Sequence, residues 1–364
     1  MFLIAFATFL SGLYIILILI FIIGWNRNYT FEPKGNESVT TLISVIVACK
    51  NEQSTIENLI SYIAQQSHQN FELIIVNDHS TDSTKSIVKQ AIATLPKAKL
   101  VDAVGFGKKS ALREGIQQST ADLIVTIDAD CSPTFHWLES IVCFQNKLHS
   151  DLIIGPVKNI ESKDIFLKIQ ALEFVSLVAS GGGAAGAKMP ILCNAANLAF
   201  TRETWMNSNS DLHDEEQSGD DIFLLQSVKK RGGVIRFLKS EAAFVNTKPS
   251  TSLKEFLNQR RRWASKSPSY TDWNIILVAV LVFSMAIVEL LLLYNALTDM
   301  KFLIVFGGFF STKFLIDSLF LQLVRKFFHL TNIWVETFLL SVIYPFYIVF
   351  VAVSALLYKP KSWK

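Results

Sequence analysis

The chain has 364 residues, 51% of them hydrophobic and 18% charged, with a mean hydropathy of +0.35. That apolar excess excludes an ordinary soluble enzyme, and a net charge of only +3 gives no ground for a nucleic-acid partner. Cys49, Cys131, Cys143 and Cys193 are scattered without metal-ligand spacing, as expected of reduced thiols in a cytosolic compartment.

From Phe2 to Gly24 no residue is charged, a run long enough to cross a bilayer as a helix. A cleavable signal is disfavoured, because no basic residue precedes the run and no small-residue cleavage site follows it. Residues 1–24 therefore read as an N-terminal anchor. A polar block at 33–250 follows. Leu42–Ala48 is a β-branched apolar run expected to form a buried strand, followed by Asn51-Glu52 and helical spacing from Ser54 to Ala64. Phe71–Val76 is a second strand, ending in Asn77-Asp78-His79-Ser80-Thr81-Asp82, before a helix at Ser83–Thr94. A short strand, Ala98–Val101, leads through Gly105-Phe106-Gly107-Lys108-Lys109 into a helix through Gln117. The Leu123–Ile127 strand ends in Asp128-Ala129-Asp130. Strands alternating with helices imply an α/β fold with a mostly parallel sheet, whose ligands bind beyond the carboxyl ends of the strands. Two carboxylates at such an end repel one another and suit a divalent cation, Mg²⁺ or Mn²⁺, that could grip a diphosphate. A solvated turn is the alternative for the tripeptide alone.

Further on, Ser162–Ser180 reads as a helix and Gly181-Gly182-Gly183 as a mobile loop, either a lid or a connector. Asn194 to Phe200 reads as a strand directing Asn197 at the cleft. An acidic loop with Asp211, Asp214, Glu215 and Glu216 ends in Gly219-Asp220-Asp221, before a helix at Ile222–Arg231 and a strand at Val234–Leu238. Residues 251–268 read as an amphipathic interface helix carrying Gln259-Arg260-Arg261-Arg262-Trp263. Three apolar stretches fill 273–357: about Trp273–Leu297, Phe302–Val324 and Ile333–Leu357. Lys313 and Asp317 have the i,i+4 spacing of a helical ion pair within the second of these, and Glu289 lies in the first. Arg27 and Lys34 follow the anchor and nothing basic precedes it, so the polar block is expected in the cytoplasm, with Arg325 and Lys326 also inside. Four spans then put the C-terminus outside, against its basic tail Lys359–Lys364; either the tail is outvoted or one segment is re-entrant.

Six motifs, in this order, resemble the family 2 glycosyltransferases, in the membrane-integrated branch of cellulose, chitin and hyaluronan synthases and ceramide glucosyltransferase. They are Val45-Ile46-Val47-Ala48 with Asn51-Glu52; Val76-Asn77-Asp78 with Ser80 and Asp82; Gly107-Lys108 with Ala111-Leu112; Asp128-Ala129-Asp130; Gly219-Asp220-Asp221; and Gln259-x-x-Arg262-Trp263. The resemblance covers nearly the whole polar block. It implies a GT-A fold (Rossmann-like) binding a nucleotide-diphosphate sugar, most often a UDP-sugar. By that resemblance Ala48, Asn51, Glu52, Asp78, Lys108 and Asp128 bind the donor, and Asp128 with Asp130 holds the cation. Asp221 is the base, beside Asp220, while Arg262 stabilises the leaving diphosphate. Gln259 and Trp263 meet the acceptor, together with Asn197. Asp220 stands where Glu is common in the family, and His79 where small or acidic residues are frequent, which leaves the donor preference open.

Plainer readings stand beside these. Asp220 and Asp221 could cap a helix, Arg260–Arg262 could face anionic lipid, Lys108 could be solvated, and His79 and His213 could be ordinary loop histidines. The expected function is a metal-dependent inverting transfer to a lipid or lipid-linked acceptor at the plasma membrane. Processive polysaccharide synthesis, with a homodimer or export partner, is the alternative; a nucleotidyltransferase and a non-catalytic nucleotide-binding scaffold are remoter ones.

Overall fold

Every residue of the strands Ile43–Cys49 (β1), Phe71–Asn77 (β2) and Leu123–Thr126 (β4) is buried, the pattern of parallel strands covered on both faces. The computed structural model describes residues 1–33, 40–208, 211 and 219–357. Lys34, His213, Asp214, Glu215, Glu216 and the Lys359–Lys364 tail lie outside the described residues. In chain order the helices are α1 (Phe2–Arg27), α2 (Ile56–Ala64), α3 (Thr84–Ala91), α4 (Lys108–Gln118), α5 (Trp137–Leu148), α6 (Ile165–Gly186), α7 (Arg202–Ser208), α8 (Asp220–Lys230), α9 (Leu253–Ala264), α10 (Trp273–Ala296), α11 (Met300–Val324) and α12 (Trp334–Leu357). The remaining strands are β3 (Ala98–Asp102), β5 (Ser132–Pro133), β6 (Leu152–Ile154), β7 (Val157–Asn159), β8 (Leu198–Thr201), β9 (Ile235–Phe237) and β10 (Val245–Thr247).

The chain divides into two units, one built from Asn28–Ile160 and Leu192–Lys248, the other from Met1–Arg27, Glu161–Ile191 and Pro249–Pro360. The first holds a seven-stranded sheet in the order β3-β2-β1-β4-β8-β6-β9 and a small sheet β5-β10-β7. β1 pairs in parallel with both β2 and β4, while β8 runs antiparallel to β4 and β6. The sheet is therefore mostly parallel, as its alternating pattern implied, with one reversed strand, β8, between β4 and β6. The expected strand from Asn194 begins only at Leu198, because the Asn194 side chain accepts a bond from the Ala196 amide (3.0 Å) and winds residues 195–197 into a 3₁₀ turn.

The second unit contains α1, α6 and α9 to α12. Its largest departure from expectation is at Gly181-Gly182-Gly183, which form no loop but continue α6. Packing overrides the low helix propensity of glycine here. A Cβ on Gly24 would sit 1.8 Å from the Gly183 carbonyl oxygen, and one on Gly183 would meet the Phe21 carbonyl at 2.5 Å. The glycines let α1 and α6 cross backbone to backbone. Five helices (α1, α6, α10, α11 and α12) are long and apolar enough to cross a membrane, one more than the sequence pattern suggested. Within this unit Lys313 binds Asp317 (2.7 Å), whose other oxygen accepts the Tyr14 hydroxyl from α1 (2.7 Å). The helical ion pair is thus made, and it also ties α11 to α1. Glu289 is buried on α10, and its Oε2 has no hydrogen-bond partner among the described residues.

Candidate active site

The chain adds β2 and β3 on one side of β1 and β4 on the other, so β1 and β4 diverge at a topological switch point. Crevices form at the carboxyl ends of such strands. The exits of β1 and β2 are laced together here. Asn51, held at φ +53°, donates its amide to Ser80 (3.0 Å) and accepts from the Thr81 amide (2.9 Å). The Glu52 amide donates to Thr84 Oγ1 (2.7 Å) and the Gln53 amide to Asp82 (3.2 Å). Ala48 is buried on β1 beneath this loop pair.

Asp78 is fully buried, and both its oxygens accept the Gly107 amide at 3.2 Å, with Lys50 Nζ at 3.7 Å. Gly107 has φ +93°, a conformation that side chains rarely adopt, so glycine is required where Asp78 pins the loop. Glu114 grips the same loop, accepting the amides of Val104 (2.8 Å) and Gly105 (3.0 Å). Lys108, the first residue of α4, is thereby aimed rather than solvated: its Nζ lies 2.6 Å from Asp128 Oδ1. Burial opposes the Lys108 charge, but Asp128, Asp220 and Asp221 outweigh it and hold its pKa above the ordinary lysine range.

Lys108 therefore gathers the carboxylates at the end of β4 and the start of α8. Asp221 accepts the amides of Ala195 (3.2 Å) and Ile222 (2.8 Å). The Ala195 carbonyl in turn accepts Thr126 Oγ1 (2.7 Å), so the acid is fixed to the strand that carries Asp128. Asp220 and Asp221 occupy the first turn of α8, where the helix dipole favours negative charge, and the Asp221 bond to the Ile222 amide lies within that turn. Asp130 is set apart: burial, then the carboxylates of Asp128 and Glu52, push it above the usual carboxyl range. Among the described residues no trio of His, Cys, Asp or Glu forms a metal cage. Asp128 and Asp130 repel one another even beside Lys108, and such a pair fits a cation of the Mg²⁺ type, which takes one or two carboxylates and fills its shell with phosphate oxygens and water.

Asn197 is a correction. It is only 1% exposed and faces the core: its Oδ1 accepts Trp137 Nε1 (2.9 Å), and its amide donates to the carbonyls of Pro156 and Ala243, both at 2.9 Å. Buried, with both N–H groups and its carbonyl engaged internally, it does not face a cleft.

In the other unit, α9 opens with a reciprocal side-chain cap. Ser252 accepts the Glu255 amide (3.3 Å), and Glu255 accepts the Thr251 amide (3.0 Å). Gln259, Arg262 and Trp263 on this helix are half-buried. Arg260 is a second correction, since it faces protein rather than lipid: it is 5% exposed and forms a two-pronged pair with Glu173 of α6. Its guanidinium also lies 4.1 Å from the centre of the Trp263 ring. Sequence reading missed Glu173, whose signal was the lone acid in a largely apolar helical run.

Residues 44–182 match the model of glycosyl transferase family 2, and residues 123–357, well over half of the chain, match that of glycosyl transferase family group 2. A poly-beta-1,6-N-acetyl-D-glucosamine synthase from Staphylococcus epidermidis is 30% identical over 141 residues, 37% of this chain and 33% of that protein. Its counterpart from Staphylococcus aureus (strain COL) is 26% identical over 183 residues, 49% of this chain and 44% of that protein. The chain thus spans less than half the length of these curated relatives. A mannosyltransferase from Pyrobaculum calidifontis, solved with GDP-Man and Mn²⁺, aligns over 97% of this chain and 99% of its own, with a TM-score of 0.56 and 17% identity, a likeness of fold. Strand-end carboxylates, a GT-A-like sheet and these two matches agree: the chain belongs to the family 2 glycosyltransferases.

Proposed function

We propose that this chain is an integral membrane enzyme that transfers a sugar, with inversion, from a UDP-sugar to a lipid or lipid-linked acceptor on the cytoplasmic face of the plasma membrane. The observation that carries the reading is the convergence of Lys108 with Asp128, Asp220 and Asp221 at the switch point of the sheet. In the reaction Asp221 takes the proton from the acceptor hydroxyl, whose oxygen bonds to the anomeric carbon as the bond to the nucleoside diphosphate breaks. Lys108, paired with Asp128, would offset negative charge on the departing diphosphate, and a planar fork such as that of Arg262 suits a phosphate anion. Asp128 and Asp130 would hold a Mg²⁺ or Mn²⁺ ion, which supplies Lewis-acid stabilisation of the leaving group when bound. Asn51, Glu52 and Asp78 frame the nucleoside side, with Asp78 acting through the Gly107 loop. The half-buried indole of Trp263 and Gln259 serve the acceptor.

A second reading, addition of sugars to a growing polysaccharide, is favoured by the names of the Staphylococcus relatives. Product length separates the two. Purified protein is incubated with UDP-glucose, UDP-N-acetylglucosamine, UDP-galactose and GDP-mannose, with and without membrane lipid extract, and nucleotide release is followed. At least one donor should be turned over, and excess chelator should abolish turnover. Asp221→Asn should lower kcat by at least about 10³-fold while donor binding persists. Full activity in Asp221→Asn would remove the base, and persistent activity in chelator would remove the cation.

A further inference from the structure

We propose that Glu173 is a positioning residue that sets the indole of Trp263 through the guanidinium of Arg260. The inference rests on the reading that Trp263 aligns the acceptor.

Glu173 and Arg260 are both buried, at 3% and 5% exposure, and their bond is two-pronged: Nε to Oε1 at 3.1 Å, and Nη2 to Oε2. Tyr347 of α12 also donates its hydroxyl to Glu173 Oε1 (3.1 Å), a further bond holding the carboxylate. The guanidinium carbon then lies over two rings, 4.7 Å from the centre of Phe256 and 4.1 Å from that of Trp263, while Nη1 donates to Gln259 Oε1 (2.7 Å). One acid thus fixes one cation, and that cation touches both residues assigned to the acceptor. One turn earlier on α6, Gln170 exchanges two bonds with the backbone of Ser250, at 3.0 and 3.2 Å. These bonds hold the entry of α9 to the same helix.

Stability does not account for such a pair. Well-packed apolar side chains of similar volume usually serve as well or better, because two charges must be stripped of water. What an ion pair supplies is direction. A guanidinium held at two atoms by a carboxylate has one position, and an indole face beneath it is held against that position. A lysine would keep the charge but has no plane to offer.

Two measurements on the full-length protein in detergent test this. With 5-fluorotryptophan incorporated and the Trp263 resonance assigned by Trp263→Phe, that resonance should be single and sharp in the wild type. It should shift and broaden in both Glu173→Gln and Arg260→Lys. With the donor turned over in the panel above and membrane lipid extract as acceptor, both variants should raise the extract concentration giving half-maximal rate about tenfold and leave the donor KM within about twofold. An unmoved Trp263 resonance in Glu173→Gln overturns the proposal. So does Arg260→Lys behaving as wild type, because a pair that only braces the fold tolerates lysine. A parallel rise of both values overturns it too. If Glu173→Gln does not fold, Arg260→Lys carries the test alone. Absence of turnover by the wild type with every donor would instead count against the glycosyl-transfer reading, and leaves the spectroscopic test standing.

Discussion

At Lys108 an ammonium is shared among carboxylates that come from β4 and from the start of α8, held there by a glycine loop pinned to Asp78. A lysine after glycine reads in sequence as solvated, and only the fold reveals what it faces. Lys108→Met should cut kcat/KM for the nucleotide sugar about 10²-fold, whereas Lys108→Arg should retain roughly a tenth of the activity. The placement of Asp128 just past a strand end and of Asp221 at a helix start was legible, because the apolar pattern on either side marks those boundaries in the chain itself. Asn197 was not, since an asparagine satisfied by Trp137, Pro156 and Ala243 looks the same in sequence as one facing a cleft. Glu72 poses the same difficulty in the opposite sense. It is a buried acid on β2, and burial disfavours its charge. Bonds from Ser44, Thr120 and Ala121 outweigh burial and hold its carboxyl below the usual range. Its contribution is therefore complete above the unfolded pKa of about 4.3 and is lost as pH falls through the lower folded value. Glu72→Gln should cost about 1.5–3 kcal/mol at neutral pH in chemical denaturation, with the gap to wild type closing below about pH 4.

The strands and helices of the first hundred residues of the sheet were legible because period-2 and period-3.6 patterns alternate there without conflict. The glycine run of α6 was not, because local propensity points to a loop while the requirement is set by a second helix. At the crossing, Gly24 and Gly183 bring main chain against main chain, and any side chain must push α1 from α6. Gly24→Ala should therefore destabilise the protein by about 1–3 kcal/mol in a thermal melt. Gly12 lies on the same helix with nothing within 4 Å of an added Cβ, so Gly12→Ala should be neutral or slightly stabilising. Equal melting of the two variants would mean that α1 and α6 do not meet at this seam. Arg260 misled for a related reason. Three consecutive arginines beside apolar segments suggest a lipid-facing patch, yet the first turns inward because α6 supplies Glu173.

For the whole molecule, the sequence divided the chain into an anchor, one polar block and a membrane tail, whereas the structure interrupts the polar block with Glu161–Ile191. The interruption was illegible because α6 carries Lys168, Gln170 and Glu173 among its apolar residues and resembles a soluble helix as much as a span. Its length, about 33 Å for 22 residues at 1.5 Å each, would suffice to cross a bilayer. The chain on either side argues otherwise. Asn28–Ile160 and Leu192–Lys248 form one unit: β8 pairs with β4, and β7 pairs with β10. A crossing helix would leave these partners on opposite sides, and the return would fall to residues 187–191. Five residues reach at most about 18 Å, well short of a hydrocarbon core of about 30 Å. α6 should therefore lie along the interface, leaving α1, α10, α11 and α12 as the spans. All four native cysteines are buried, so single-cysteine labelling has a quiet background. Lys163 and Lys188 flank α6 and are exposed, as is Thr298 between α10 and α11. With a membrane-impermeant maleimide, Lys163→Cys and Lys188→Cys should both label in inside-out vesicles only, and Thr298→Cys in right-side-out vesicles only. Labelling of Lys163→Cys and Lys188→Cys from opposite faces would make α6 a fifth span and require the sheet to be partitioned across the membrane.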